Sequence, residues 1–406
     1  MKTCIIIGAG GRGKDSYAPY IHDNNLMKIV GVVEPDDYKR EQFKKHYSID
    51  ENMCFTDYRE LFKLGKLADA VIICTQDRMH LEPTLLAKKC GYHILLEKPI
   101  APTMKEVKKL EKAFKGYDKI FMTAFVLRYT PFIKKIKEII DGGEIGDVIT
   151  MQFNENEGFW HHAHSYVRGP WSTSKNSSPL IVAKSSHDID LMLYLVGSPC
   201  KSISSYGDNT YFKSENALKD VPQRCTDGCP YADSCVYYAP KLYTEGKARY
   251  FVHKFECGDK DEDIIEALKV NPYGRCVYRC DNDVCDHQVL GMEFENGATA
   301  VFTVSAFSLE NNRTLKIMGT KGEVGGCMET GVLKLKKFDD MTETKINIEH
   351  DGTRHCGGDG GLMDYFVQTI NDYENIEHNV DKWMFDAHKV AFLAEKSRLL
   401  GKRLSL

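Results

Sequence analysis

The order of residues between 3 and 34 constrains the fold more than anything else in the chain. A β-branched apolar run, Thr3 to Ile7, passes directly into Gly8-Ala9-Gly10-Gly11-Arg12-Gly13, and a helical pattern follows. A second apolar run, Ile29 to Val33, ends on Glu34, 21 residues beyond Gly13. Strand, glycine turn and helix in this register form a binding fingerprint for a dinucleotide. Gly8 makes the tight turn, Gly10 lets backbone approach the pyrophosphate, Gly13 lets helix pack on strand, and Gly11 and Arg12 lie in the same turn. A carboxylate at position 34 accepts hydrogen bonds from ribose hydroxyls and repels a 2′-phosphate, so NAD is expected ahead of NADP. Arg40 nearby keeps NADP as the less favoured alternative.

The same rhythm continues to residue 125. Ala70 to Cys74, His93 to Leu96 and Lys119 to Phe125 are near-continuous apolar runs, separated by amphipathic stretches such as Met79 to Lys89 and Met104 to Phe114. Continuous rather than alternating strands between helices predict a parallel sheet covered on both faces. Residues 1–125 are therefore expected to form a doubly wound α/β domain of Rossmann type. After a helix from Pro131 to Ile140 the strands become longer and alternate: Val148 to Asn154, His287 to Phe294, Ala298 to Ala306 and Arg313 to Met318, with Glu295-Asn296-Gly297 as a hairpin turn. Residues 126–406 read as an α+β domain with a large, mainly antiparallel sheet and helices on one face. Its helices are Ser186 to Val196, Gly360 to Tyr373 and Asp381 to Leu399, and a loop-rich insertion occupies about 208–285.

Several motifs sharpen this reading. They are Glu97-Lys98-Pro99 after the run His93 to Leu96, Thr75-Gln76-Asp77-Arg78-Met79-His80, Leu127-Arg128-Tyr129-Thr130-Pro131, Glu144-Ile145-Gly146, His187-Asp188-Ile189-Asp190-Leu191, Phe294-Glu295-Asn296-Gly297-Ala298 and Gly319-Thr320-Lys321-Gly322-Glu323. On these residues the chain resembles the large family of glucose-fructose oxidoreductase, inositol dehydrogenase and their relatives (Gfo/Idh/MocA), over its whole length outside the insertion. The resemblance implies an NAD(P)-dependent dehydrogenase acting on CH–OH groups, with Thr75, His80, Glu97, Lys98 and Arg128 around the cofactor. It also implies a homo-oligomer, a dimer or tetramer, paired through the second domain's sheet.

Lys98 stands at a strand's carboxyl end, where a doubly wound sheet places its ligand crevice. Pro99 biases it towards extended backbone that aims the ammonium into that crevice, and desolvation there lowers its pKa and suits it to carry a proton. The alternative is a surface lysine paired with Glu97. Removing a hydride from a secondary alcohol also requires a base for the hydroxyl proton, worth on the order of 10² to 10⁴ in rate, and His187 is the candidate. The family resemblance implies an aspartate four residues earlier, but this chain has Ala183, followed by Lys184. The base is therefore expected to be His187 alone, or Lys98 with Lys184 in the proton relay. A structural His187 bonded to Asp190 is the alternative.

Between the first strand of the second domain and that helix lies a loop containing Trp160, His161, His162, His164, Arg168 and Trp171. Aromatic faces pack on the C–H surfaces of a sugar while polar tips bond its hydroxyls, so this loop is the expected substrate wall. Asp286 and His287 are expected to line the same cleft, with His355 and Asp359 a further pair. The histidines could instead ligate a divalent metal, and the whole loop could be a solvated aromatic patch at a subunit interface.

The chain has 14 cysteines, seven of them between Cys225 and Cys285. Clustered thiols outside an oxidising compartment are more often metal ligands than disulfides, and an insertion with little core of its own gains stability from a metal. A structural zinc or iron–sulfur cluster is expected, its four sulfurs drawn from Cys225, Cys229, Cys235, Cys276 and Cys280. Free, partly buried thiols are the alternative.

Charge narrows the partners. Fifty-four basic against 58 acidic residues, a net −4, leave no polybasic surface for nucleic acid or anionic lipid. No apolar run reaches the roughly 20 residues needed to span a bilayer, and no leader pattern precedes Cys4, so a cytoplasmic location is expected. The sum is an NAD-dependent oxidoreductase for a secondary hydroxyl of a sugar, sugar derivative or glycoside. A glycoside-cleaving enzyme working by transient C3 oxidation and elimination, and a non-catalytic nucleotide or sugar sensor, are the alternatives.

Overall fold

A computed structural model describes residues 1–255, 257–350, 354–375 and 383–406. The first third forms six parallel strands, β1 (Thr3–Ile7), β2 (Lys28–Val33), β3 (Cys54–Phe55), β4 (Ala70–Ile73), β5 (His93–Leu96) and β6 (Phe121–Thr123), in the spatial order β3-β2-β1-β4-β5-β6. That order reverses direction at β1/β4, which opens a ligand crevice at the strands' carboxyl ends. Strands buried on both faces must be apolar throughout, and Cys4 to Ile7, Ala70 to Ile73 and Ile94 to Leu96 are fully buried. The covering helices obey ordinary signals. In Met104–Phe114 the Thr103 hydroxyl caps the Glu106 amide and meets the Glu106 carboxylate at 2.8 Å, and the helix buries Val107, Leu110 and Phe114.

The second sheet has nine strands: β7 (Val148–Gly158), β8 (Cys200–Asp208), β9 (His287–Phe294), β10 (Thr299–Ser308), β11 (Asn312–Gly319), β12 (Gly322–Cys327), β13 (Val332–Lys337), β14 (Glu343–Asn347) and β15 (Leu404–Ser405). They lie in the order β14-β13-β12-β11-β7-β10-β9-β8-β15, and pairing is antiparallel except between β7 and β10. Helix Ser186–Val196, almost wholly buried, packs against helix Met384–Leu400, which in turn lies on β8. The last helix, expected from Asp381, starts at Met384 among the described residues; Asp381 lies outside them. Among the described residues no helix is long and apolar enough to cross a membrane.

The insertion differs from its expectation. It carries helices Ala239–Thr244 and Asp261–Val270 and two apolar clusters, one with Phe212, Tyr237, Val277 and Tyr278, the other with Leu242, Tyr243, Phe251, Ile264 and Leu268. Its stability therefore has an ordinary hydrophobic source. Cys225 and Cys276 are buried within these clusters, and burial pushes the Cys276 thiol up to about 11 and raises Cys235 and Cys280. Among the described residues no three His, Cys, Asp or Glu side chains converge on a metal position. The structure therefore gives no support, among the described residues, to the expected zinc or iron–sulfur site at Cys225, Cys229, Cys235, Cys276 and Cys280.

Candidate active site

The glycine turn is built as a cradle. Gly8 takes φ +98°, which L side chains rarely adopt, and a Cβ at Gly13 would sit 2.2 Å from the Gly8 carbonyl oxygen. At Gly10, by contrast, a Cβ would meet nothing within 4 Å, so the space a pyrophosphate requires is open. Glu34 closes the end of β2: its carboxylate accepts from the Ala9 amide at 2.8 Å and the Asp36 amide at 3.1 Å. Arg40 is committed elsewhere, to the Glu34 carbonyl at 2.7 Å and to Asp37 at 2.5 Å. The residues present fit a dinucleotide without a 2′-phosphate.

Arg12 is the centre of a buried network rather than a free phosphate ligand. Its Nε donates to Glu97 at 2.7 Å, its two terminal nitrogens reach Asp359 at 2.9 Å each, and Tyr17 donates its hydroxyl to Glu97. Burial opposes ionisation of Glu97, but the charge of Arg12 and the hydrogen bonds of Arg12 and Tyr17 outweigh it and hold the carboxyl below its ordinary range. Glu97 also accepts the Lys98 amide at 3.0 Å, so it fixes the turn that carries the lysine. Two further cofactor expectations change. His80 is fully buried with one ring nitrogen on the Pro99 carbonyl and the other on the Thr75 carbonyl, so it braces Thr75 rather than facing a ligand. Arg128 is buried on Asp190, with Nε to Oδ2 at 2.6 Å, and anchors helix Ser186–Val196. A buried guanidinium needs such a fixed counterion.

Lys98 is half-buried, and its ammonium donates to the Ala183 carbonyl at 2.8 Å. Burial is the main cause of a pKa below that of an ordinary lysine. His187 is buried one turn beyond Ala183, its Nδ1 without a hydrogen-bond partner among the described residues. Burial and then the neighbouring Lys98 charge drive its pKa well down, so the ring is neutral. Asp190, its alternative partner, belongs to Arg128.

Lys184 is held as an ammonium between two buried carboxylates. Its ammonium lies 3.0 Å from Glu155 and 3.4 Å from Glu157, and these charges overcome burial to raise its pKa far above the ordinary value. Arg313 meets Glu155 at 2.5 Å and Asp188 at 2.8 Å, which completes a buried cluster of two cations and three carboxylates. Glu157 is held down at about 2: burial opposes this, but Lys184 and His162 prevail. The two glutamates and Arg313 escaped the sequence reading, yet a signal existed. Glu155 and Glu157 continue the inward parity of Met151 and Phe153 along β7, so their carboxylates had to face the interior.

The aromatic loop divides. His162 Nδ1 donates to the Glu157 carboxylate at 2.9 Å, His161 lies 3.5 Å from the same carboxylate, and Tyr166 stacks on His162, with Trp171 beside it. These rings stay with the Lys184 cluster. Trp160 instead bonds the Leu309 carbonyl at 3.3 Å and leans on Phe251. His164 is a core residue, buried between Phe251 and Tyr273 at ring distances of 4.0 and 4.4 Å and bonded to the Tyr243 hydroxyl at 3.0 Å. Arg168 is buried on the carbonyls of Arg275 and Tyr237, both at 2.7 Å, and ties the insertion down. Asp286 is fully buried, accepting the Thr210 and Tyr211 amides and pairing with His287 at 2.7 Å; both secure the neck of the insertion. His164, Arg168 and Asp286 are thus buried in contacts with other parts of the chain, while His287 pairs with Asp286 and keeps part of its ring exposed.

A family model described as the oxidoreductase family's NAD-binding Rossmann fold (Gfo/Idh/MocA) matches residues 2–125, and the model of that family's C-terminal alpha/beta domain matches residues 137–348. YteT of Bacillus subtilis (strain 168), which bears an oxidoreductase name, is 26% identical over 334 residues, 80% of this chain and 76% of its own length. The scyllo-inositol 2-dehydrogenase (NAD(+)) of the same organism is 29% identical over 211 residues, 50% of this chain and 56% of its own length. A levoglucosan dehydrogenase solved with NADH and levoglucosan superposes with a TM-score of 0.71 at 17% identity, covering 100% of this chain and 99% of its own; this likeness is one of fold.

Proposed function

The chain belongs to the Gfo/Idh/MocA oxidoreductase family, and from that premise we propose that it is an NAD-dependent dehydrogenase for a secondary hydroxyl of a sugar, cyclitol or sugar derivative. One observation carries the reading. The Lys98 ammonium, at the carboxyl end of β5, reaches across to the backbone of Ala183, one turn before His187, and so marks where the dinucleotide crevice meets the second sheet. Gly8, Gly10, Gly13 and Glu34 would hold NAD, which supplies the hydride acceptor or donor when bound. Lys98 and His187 stand where they would orient the reacting hydroxyl. His161, Tyr166 and Trp171 supply rings and polar tips suited to a polyol, with His162 buried behind them on Glu157. The name of the scyllo-inositol dehydrogenase relative supports that substrate class.

Absorbance of NADH with a panel of sugars, cyclitols and glycosides tests the proposal. Reduction of NAD by at least one member is expected, and none with folded, NAD-binding protein overturns it. Release of an aglycone without net NADH would identify transient oxidation instead. We also read the open face of the second sheet, which exposes Ile149, Val289, Val301 and Phe307, as a homo-oligomer contact. A monomer by light scattering at micromolar concentration would exclude it.

A further inference from the structure

The segment before helix Gly358–Asn371 has an uncommon backbone. His355, Cys356 and Gly357 take φ of 54°, 49° and 83°, three consecutive left-handed residues of which only one is glycine. L residues hold such angles only where the surroundings impose them, and sites of chemistry are where this strain gathers. Here it presents the His355 ring to the site. Its Nδ1 lies 3.0 Å from Asp359, and its ring centroid lies 6.1 Å from that of His187. Its side chain keeps 35% exposure, unlike the buried His187, and Nε2 takes no hydrogen bond among the described residues.

The two histidines differ in the partner that decides basicity. His187 has no carboxylate: Ala183 stands one turn before it, its Nδ1 is unpartnered, and Lys98 and Arg313 are cations whose charges disfavour an imidazolium. His355 has Asp359, which Arg12 clamps at both oxygens; burial, with Arg12 and Arg313, still lowers the His355 pKa, and the Asp359 hydrogen bond and charge oppose that fall. A carboxylate on Nδ1 fixes the Nδ1–H tautomer, leaves Nε2 as the acceptor and offsets the positive charge that forms there.

We propose that His355, held by Asp359, is the catalytic residue that takes the hydroxyl proton, and that Arg12 is the positioning residue that fixes Asp359. The inference rests on the dehydrogenase reading above. In the oxidative direction the carbon loses a hydride to the dinucleotide, which is reduced. The O–H bond breaks, its electron pair forms the carbonyl, and the proton passes to His355 Nε2. Asp359 thus provides, from the far end of the chain, the carboxylate–imidazole pair that Ala183 precludes at His187.

Three measurements on the full chain test this. His355→Ala is expected to lower kcat on the order of 10² to 10⁴-fold while NADH affinity, read by fluorescence, stays within about threefold, and added imidazole is expected to restore kcat at least about tenfold. Where His355→Ala does not fold, His355→Gln carries the same kcat and NADH comparison. Nitrogen-15 histidine NMR, with the His355 signals assigned by their loss in His355→Gln, is expected to show the Nδ1–H tautomer in the parent and its loss in Asp359→Asn. Retention of more than a third of kcat in a folded variant, loss without imidazole rescue, or an Nε2–H tautomer in the parent each overturn the proposal. A parent protein inert on every sugar overturns the dehydrogenase reading and this inference together, whereas an active parent with an undiminished variant overturns this inference alone.

Discussion

Arg12 grips Asp359 through both terminal nitrogens at 2.9 Å, joining the glycine turn at the start of the chain to a helix 347 positions later. Glu97 and Asp359 are both buried beneath this one guanidinium. Removing it strands two carboxylates in an apolar setting, the costly way to break a buried ion pair. Arg12→Met is expected to lower stability by about 3 to 5 kcal/mol in urea denaturation. A loss below about 1 kcal/mol would mean that the carboxylates find water or protons at little cost.

Glu34 ties the end of β2 to the glycine turn through the Ala9 amide, and Arg40 is occupied by Asp37. NAD is expected to bind at least about tenfold more tightly than NADP, because the carboxylate repels a 2′-phosphate. Glu34→Ala should narrow that ratio mainly by weakening NAD. Calorimetric titration with both dinucleotides checks this, and equal affinities in the parent chain would contradict it.

Lys98→Ala removes an ammonium that touches the Ala183 carbonyl but no part of the glycine cradle. Turnover is expected to fall on the order of 10² to 10⁴-fold, with NADH affinity retained within about threefold. Parallel steady-state kinetics and fluorescence titration separate the two, and a loss of NADH affinity with kcat preserved would assign Lys98 to the cofactor alone.

Burial pushes His164 down to about 2 and His93 and His388 down to about 4. Above an unfolded pKa of about 6.5 neither state binds a proton on these rings and stability is flat. Below it the unfolded chain takes up protons that the folded one refuses. Stability therefore falls as pH drops from about 6.5 towards 4, by at most about 1.4 kcal/mol per pH unit for each ring. Urea denaturation across this range should show the decline, and His164→Phe should show a shallower one. Identical slopes would place the protonation elsewhere.

Much of this was legible in the residues. Strands β1, β5 and β9 and helices Met104–Phe114 and Ser186–Val196 match their sequence boundaries because burial on one or both faces writes itself as apolar periodicity. Strand β8 was missed because its buried positions include Ser202 and Ser205, polar residues on opposite faces, each satisfied by hydrogen bonds, that mimic a loop's composition. In β12, Gly325 and Gly326 hide the alternation; a Cβ on either would meet the neighbouring strand's backbone within 2.6 Å. The glycine turn, Glu34 and Lys98 were readable as local motifs. His164, Arg168 and Asp286 were not, since local sequence cannot say whether an aromatic or charged side chain meets a ligand or another part of the chain 75 to 109 residues away. Here Phe251, Tyr273, Arg275 and the Thr210–Tyr211 amides claimed them first.

The central strand of the second sheet has a kinetic consequence. Both neighbours of β7 come from far downstream: Thr150 lies opposite Thr299, 149 residues later, and β11 follows still further on. A ribosome will have released β7, with its inward Met151 and Phe153, long before anything exists to pair with either edge. The intervening insertion, whose clusters draw largely on contacts among its own residues, can condense first and hold the two ends of that long loop closer together, shortening the search that the closing strands must make.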